Sequence, residues 1–382
     1  MKTRLALITE IIAPYRIPVF NALAGRGDID LHVVFLAEND ASLRQWLVYK
    51  DEIRFSYQVL PSWRRAIGSQ RLLFNWGVAR ALAAARPDIV ICGGYNYPAS
   101  WRAAHWAKHC RIPFLLWIES TSLDRRTGNF FVEKIKLHFL DLCTGFVVPG
   151  KASAEYLRML GVLDDRIFVA PNAIDVDLFK NSAARARQDS VRLREALRLP
   201  ARYFLDVGRL VQAKGAFDLI DAYAKLSAVV RTQVSLLFVG DGVAREALAA
   251  RSRAISPGSI EFRGFVQRDD LPAYYAFAEA LVFPTHSDTW GFVVNEAMAC
   301  GTPVIASEVA GCVPDLVQNL QTGLLVRSQD PAALADSLAF LVGRPESGTE
   351  MARRATELIT QHSPEAWAAG IASAVGSIGG HR

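Results

Sequence analysis

The sequence predicts two α/β domains, each a parallel sheet covered by helices on both faces. Three observations carry this prediction. The chain has 382 residues, too many for one ordinary core. Short β-rich runs alternate with helical patterns, the arrangement of parallel strands joined by helical crossovers. The alternation stops once, over the polar and charged stretch from Lys180 to Arg198, and then restarts.

In the first half, strands are expected at Arg4–Ile8, Leu31–Leu36, Ile89–Cys92, Phe114–Ile118, Gly145–Val148 and Arg166–Val169. Helical stretches such as Arg71–Ala85, Ala99–His109 and Lys151–Met159 separate them. The opening MKTRLALITEIIAPYR briefly looks like a secretory leader. Glu10 and Arg16 interrupt its apolar run and no small-residue cleavage site follows, so a first core strand explains it better. In the second half, strands are expected at Tyr203–Val207, Val234–Val239, Ile260–Phe262, Ala280–Phe283, Pro303–Ala306 and Gly323–Val326. Helices begin near Gly215, Ala244, Leu271 and Gly291. The expected domains are therefore 1–183 and 184–362, with a helical segment at 363–382 packing back toward the first.

Half the residues are apolar (51%) and about a fifth charged (21%), as in an ordinary globular protein. No stretch approaches the roughly 18 uninterrupted apolar residues of a membrane span. Cys92, Cys110, Cys143, Cys300 and Cys312 form no CxxC pair and have no histidines at zinc spacing, which suits buried thiols in the cytosol and neither a disulfide nor a metal site. The net charge is +5, and the excess sits in the first half. Basic residues from Arg44 to Arg86 lie among Trp46, Trp63, Phe74 and Trp76. Such a stretch is a solvated face with ordinary core aromatics, or a surface for anionic lipid or an anionic acceptor. No nucleic-acid motif accompanies it.

In sheets of this kind ligands bind beyond the carboxyl ends of the strands, where loops enter helices. One such loop is Phe204-Leu-Asp-Val-Gly-Arg-Leu-Val-Gln-Ala-Lys-Gly215. Gly208 allows close backbone approach, Arg209 and Lys214 suit a diphosphate, and the helix after Gly215 adds amide donors. A second runs from Pro284 to Val304, with Asp288 in the loop, Gly291 at the helix start and Glu296 inside the helix. Two carboxylates at this spacing can accept hydrogen bonds from vicinal hydroxyls on either side of a diphosphate. The amides near Phe292 and Val293 would meet the phosphates. Taken singly, each acid could equally be a loop residue or a helix-start glutamate favoured by the dipole.

Together these loops closely resemble the family 4 retaining glycosyltransferases, whose fold is GT-B: two Rossmann-like domains facing across a cleft. The resemblance rests on "VGRLVQAKG", "FVGDG", "IEFRGFV", "LPAYYAFAEALVFPT", "SDTWGFVVNEAMACGTPVIAS" and "TGLLV" in the family's order, with "PNAID" before them. It implies a nucleotide-sugar donor in the second domain, UDP-sugar before GDP-sugar, and an acceptor in the first. It implies that Arg209 and Lys214 grip the diphosphate and that Glu296, the second acid of the Glu-x7-Glu motif, binds the ribose. Gly264, Phe265 and Val266 match the loop that receives the base. Two departures stand out. The first acid of the motif is Asp288, followed by Thr289-Trp290-Gly291 in place of Gly-Phe-Gly, so the sugar identity is open. Where many members carry a histidine after the Phe114–Ile118 strand, Glu119 stands nearest, either as a base or sugar-orienting group or as a structural carboxylate.

Tyr15 and Arg16 after the first strand, and Gly94 and Tyr95 after the third, are expected on the acceptor side. His105, His109 and His138 are expected to be structural or surface residues. Asp175-Val-Asp177 resembles the metal-binding pair of a different transferase fold, but it lies in the "PNAID" segment, so no metal or other cofactor is expected. The anticipated acceptor is a glycan, a lipid-linked glycan or a small molecule, and the anticipated location is the cytoplasm, with peripheral contact at an anionic inner membrane face. A non-catalytic sugar-nucleotide-binding partner, or an epimerase of the same fold, is the alternative.

Overall fold

Short runs of Val, Ile, Leu and Phe, buried on both faces, form the strands of two parallel sheets in the computed structural model, which describes residues 2–39, 45–67, 70–123, 130–255 and 258–379. The first sheet contains β1 (Thr3–Thr9), β2 (Ile29–Phe35), β3 (Ser56–Val59), β6 (Ile89–Gly93), β7 (Phe114–Trp117), β8 (Gly145–Val148) and β9 (Ile167–Val169), in the order β3-β2-β1-β6-β7-β8-β9. Between β3 and β6 the chain makes a separate antiparallel hairpin of β4 (Ser62–Ile67) and β5 (Gln70–Asn75). The second sheet contains β10 (Tyr203–Val207), β11 (Ser235–Val239), β12 (Ile260–Phe262), β13 (Ala280–Phe283), β14 (Val304–Ser307) and β15 (Leu324–Val326), in the order β12-β11-β10-β13-β14-β15.

In both sheets the strand order reverses once, between β1 and β6 and between β10 and β13. At such a reversal the loops leave in opposite directions and open a crevice beyond the strand ends. Neighbouring strand residues feed opposite faces of the sheet. Phe204, Leu236 and Phe238 enter one buried cluster, while Leu205, Leu237 and Val239 enter the other. Each such side chain contributes roughly 1.5–3 kcal/mol of burial, which fixes the strand ends on which the loops depend.

The described residues fall into two units, Met1–Ala173 with Ser363–Arg382, and Ile174–His362. The second unit therefore begins earlier than the 183/184 boundary read from the sequence. The cause lies in the stretch read as a polar connector, which is helical over Val176–Gln188 and Ser190–Ala196. Val176, Phe179, Ala183 and Ala186 recur at helical spacing and are buried in the second unit's core. Asp175 caps this helix by accepting the Leu178 amide at 2.9 Å, which gives the first acid of the Asp-x-Asp pair a structural role. In the first unit, the helix Pro364–Gly379 sends Trp367 against Phe20 and Trp117, at ring-centroid separations of 5.6 and 5.4 Å.

A second difference concerns Arg71–Ala85, expected to be one helix. Its first part is β5, and the helix spans only Val78–Ala85 after Gly77 at φ +82°. Leu73 and Asn75 are buried while Leu72, Phe74 and Trp76 are exposed, a two-residue period that belongs to a strand. Of the cysteines, Cys110 is exposed rather than buried, at the last turn of the helix Pro98–Cys110. No helix among the described residues is long and apolar enough to cross a membrane.

Candidate active site

The predicted donor residues other than Gly264, Phe265 and Val266 gather on loops leaving the adjacent strands β10 and β13 of the second unit. After β10 the chain passes Gly208 and the exposed Arg209, makes a short turn over Gln212–Lys214 and enters the helix Ala216–Lys225. After β13 it runs through Pro284–Gly291 into the helix Phe292–Ala299. Gly215 lets the two loops touch. Its φ is +73°, and a Cβ there would stand 1.9 Å from the Pro284 carbonyl oxygen, so no other residue fits. The Ala213 carbonyl accepts both the His286 amide at 2.9 Å and the Thr285 hydroxyl at 3.1 Å, and His286 Nε2 meets Asp218 Oδ2 at 2.6 Å. Strapped in this way, Lys214 Nζ donates to Asp288 Oδ2, while Asp288 Oδ1 accepts the Trp290 amide at 3.2 Å. Cation and carboxylate hold each other in place, and neither is deeply buried. The helix Phe292–Ala299 begins at Gly291 (φ +106°) without a side-chain cap, and a helix start is where backbone amides and the helix dipole favour an anion.

Within that helix, Glu296 Oε2 accepts the Tyr275 hydroxyl at 2.7 Å. Burial pushes the Glu296 carboxyl up to about 7, and the Tyr275 hydrogen bond holds it from rising further. Asp206, at the end of β10, is likewise pushed up to about 7 by burial, against the pull of Lys214. Both acids are raised above their ordinary values, so each favours the folded state most when protonated. That contribution is complete below about pH 4 and is lost as pH rises through about 7. Melting of the ligand-free second unit, followed by calorimetry, should therefore fall in midpoint across this window. Glu296→Gln and Asp206→Asn should each flatten the fall. Tyr275→Phe should move the Glu296 transition to higher pH, and an unchanged profile in all three variants would contradict the assignment.

In the first unit, the loops after β1 and β7 bring two predicted residues together. Arg16 is buried and its guanidinium donates through Nη2 to Glu119 Oε1 and through Nη1 to Asn172 Oδ1 at 3.0 Å. Its guanidinium carbon stands over the Trp117 ring, 4.2 Å from the centroid, and 5.2 Å from the centroid of the Tyr15 ring. Tyr15 in turn meets Trp46 edge to face at 6.0 Å. The loop after β6 contributes Gly94 at φ +85°, whose amide donates to the Trp117 carbonyl at 2.9 Å. Tyr95 leans on Phe139, 5.7 Å between rings, and so belongs partly to the core packing of this unit.

The profile of the family described as Glycosyltransferase Family 4 matches residues 19–178, and that of Glycosyl transferases group 1 matches residues 189–358. This chain belongs to the family 4 glycosyltransferases. It is 34% identical over 211 residues to a D-inositol 3-phosphate glycosyltransferase of Corynebacterium efficiens, covering 54% of this chain and 49% of that protein. It is 26% identical over 284 residues to a glycogen synthase of Mycobacterium tuberculosis, covering 72% and 65%. The matched region thus spans about half to two thirds of the length of such relatives. Among solved structures, Anabaena HepE in complex with UDP and glucose superposes with a TM-score of 0.76 at 18% identity, over 98% of this chain and 100% of that one. The sucrose-phosphate synthase of Thermosynechococcus elongatus superposes at 0.73 with 20% identity, over 100% of both. The fold is GT-B.

Against the family's pattern, Trp290 needs correction as a donor contact. It is 2% exposed, its indole donates to the buried Asn295 side chain at 2.9 Å, and its ring packs in the second unit's core. The Trp290 part of the Thr289-Trp290-Gly291 departure therefore changes what lies beneath the loop, while Thr289 stays partly exposed. Gly264, Phe265 and Val266 follow β12, two strands from β10, and the Gly264 carbonyl accepts the Gly240 amide at 2.7 Å. Phe265 is 40% exposed, an aromatic face available to a planar base. Phe292 and Val293 are half-buried at the helix start. His105, His109 and His138 lie on exposed helix faces. Sequence pattern does not single out three residues of these sites: Asp206, Tyr275 and Asn172. Tyr275 and Asn172 stand inside segments quoted for the resemblance, and Asp206 is the lone acid in an apolar strand.

Proposed function

We propose that this family 4 glycosyltransferase moves a sugar from a nucleoside-diphosphate donor, UDP-sugar first and GDP-sugar next, onto an acceptor hydroxyl with retention at the anomeric carbon. The observation that carries the reading is the gathering of Lys214, Asp288, Glu296 and an uncapped helix start on two strapped loops at the β10/β13 reversal. Cations and amides there suit a diphosphate, and acids on either side suit the hydroxyls of sugar and ribose. HepE, crystallised with UDP and with UDP-glucose, supports the choice of base. As the bond from the anomeric carbon to the diphosphate breaks, charge develops on the departing oxygen, and Arg209 and Lys214 stabilise it. These cations do the work that a divalent metal does elsewhere, so transfer should survive exhaustive chelation unchanged. A loss restored by magnesium or manganese would refute that part.

The first unit takes the acceptor: a glycan, a lipid-linked glycan or a small molecule. Because Arg16 shares its carboxylate, Glu119 orients a substrate hydroxyl rather than removing a proton. The enzyme works in the cytoplasm, in peripheral contact with an anionic membrane face. A thermal-shift screen of nucleotide sugars tests the donor assignment without knowledge of the acceptor. UDP and a UDP-sugar should raise the melting midpoint, and indifference to every nucleotide would sink the reading.

A further inference from the structure

The β4–β5 hairpin of the first unit carries its apolar residues on both sides. On the inner side, Leu73 is 5% exposed within the first unit's core, and Asn75 is buried with its amide on the Leu36 carbonyl at 2.5 Å. The strand period sends the alternate residues outward. Trp63 pairs across the hairpin with Phe74, and Arg65 with Leu72. Trp63 is 46% exposed, Phe74 39%, Leu72 37% and Trp76, the next residue of the same alternation, 55%. The Trp63 and Phe74 rings lie 6.0 Å apart, and the Trp76 amide closes the hairpin base on the Pro61 carbonyl at 3.1 Å. A single exposed aromatic is ordinary, but an outward sheet face built from two tryptophans, a phenylalanine and a leucine is a contact surface.

Charge identifies what it contacts. From Ile53 to Pro87 the sequence holds Arg54, Arg64, Arg65, Arg71, Arg80 and Arg86 and no aspartate or glutamate. Arg54, Arg65, Arg80 and Arg86 are exposed. A second copy of the same face would set arginines against arginines, which disfavours self-association. Exposed aromatic side chains with apolar bodies, in a stretch of sequence that carries arginines and no acids between Glu52 and Asp88, match the interfacial layer of an anionic bilayer, where indoles settle at headgroup depth and guanidinium groups meet phosphates.

We infer that the outward face of this hairpin is the element that docks the chain on an anionic lipid surface, with Trp63, Phe74 and Trp76 entering the headgroup layer and Arg65 and Arg80 pairing with lipid phosphates. The inference rests on the peripheral-membrane reading above and gives it a location. The test is cosedimentation of the whole chain with vesicles of phosphatidylglycerol and phosphatidylcholine in equal parts, against phosphatidylcholine alone, at low and high salt. The wild-type chain should bind the anionic vesicles at low salt and release at high salt. Trp63→Ser with Phe74→Ser should weaken binding on the order of tenfold or more, and Arg65→Gln with Arg80→Gln about thirtyfold. All four positions are exposed, so circular dichroism and UDP-induced thermal shift should match the wild type. If the variants bind as the wild type does, the hairpin is the wrong element while peripheral contact stands. If the wild type ignores anionic vesicles, both fail. If it sediments as a dimer that the aromatic substitutions dissolve, the face joins two copies and the bilayer assignment is overturned.

Discussion

Arg209→Ala and Lys214→Ala should each lower kcat/KM for sugar transfer by about a hundred- to a thousandfold, the usual cost of removing one preorganised group that meets developing charge. The two variants should differ elsewhere. Arg209 is exposed and forms no ion pair among the described residues, so its loss should leave the melting temperature within a degree or two of the wild type. Lys214 is half-buried against Asp288, so its loss also leaves a carboxylate facing the incoming diphosphate. Lys214→Ala should therefore weaken donor binding more than Arg209→Ala. Pairing Lys214→Ala with Asp288→Asn should recover part of that affinity, because the unpaired negative charge is gone. Near-normal steady-state kinetics in both single variants would remove the diphosphate from this loop.

The second large effect is on stability. Arg16→Ala should destabilise the first unit by about 3 kcal/mol, since it strands the partly buried Glu119 carboxylate and removes the Arg16 donor from the Asn172 carbonyl. For a unit of this size that is roughly 6–12 °C in melting midpoint. Arg16→Lys keeps the charge but loses both the fork that reaches two acceptors and the guanidinium contact with the Trp117 ring, so it should recover only part of the loss. Glu119→Gln tests the proposed role directly. If Glu119 orients a hydroxyl, the glutamine variant should keep substantial turnover with a raised KM. A loss of kcat with normal KM and a lost basic limb in the pH profile would make it the base instead.

Much of this architecture is written in local pattern, and the exceptions have physical causes. The twelve strands read from the sequence reappear in the two sheets because runs such as Ile89–Cys92 and Ala280–Phe283 are apolar throughout and too short to be helices. The hairpin is hidden in the sequence because Arg71–Ala85 is rich in leucine and alanine, and the two-residue period covers only its first few residues. The helix Val176–Gln188 looks like a polar connector because its buried positions are interspersed with Lys180, Arg185 and Arg187, so composition hides the apolar stripe. At the sites, Arg209, Lys214, Asp288 and Glu296 were legible because loop chemistry is local. The partnerships were not. Arg16 and Glu119 meet across 103 residues and Lys214 and Asp288 across 74, and only the strand order determines which loops become neighbours. Trp290 was misplaced for the same reason, since only the packing of Asn295 and the surrounding core reveals that its ring points inward.

The most direct test of the account is calorimetric titration of UDP into the whole chain, the Lys214→Ala variant and the Glu296→Ala variant, above and below the Glu296 transition near pH 7. The account predicts one site on the wild-type chain, binding more tightly above the transition, where an ionised Glu296 can accept both ribose hydroxyls. Each variant should bind at least about tenfold more weakly, and Glu296→Ala should lose the pH dependence as well. Equal affinity in all three proteins, or no UDP binding to the wild type, would contradict it.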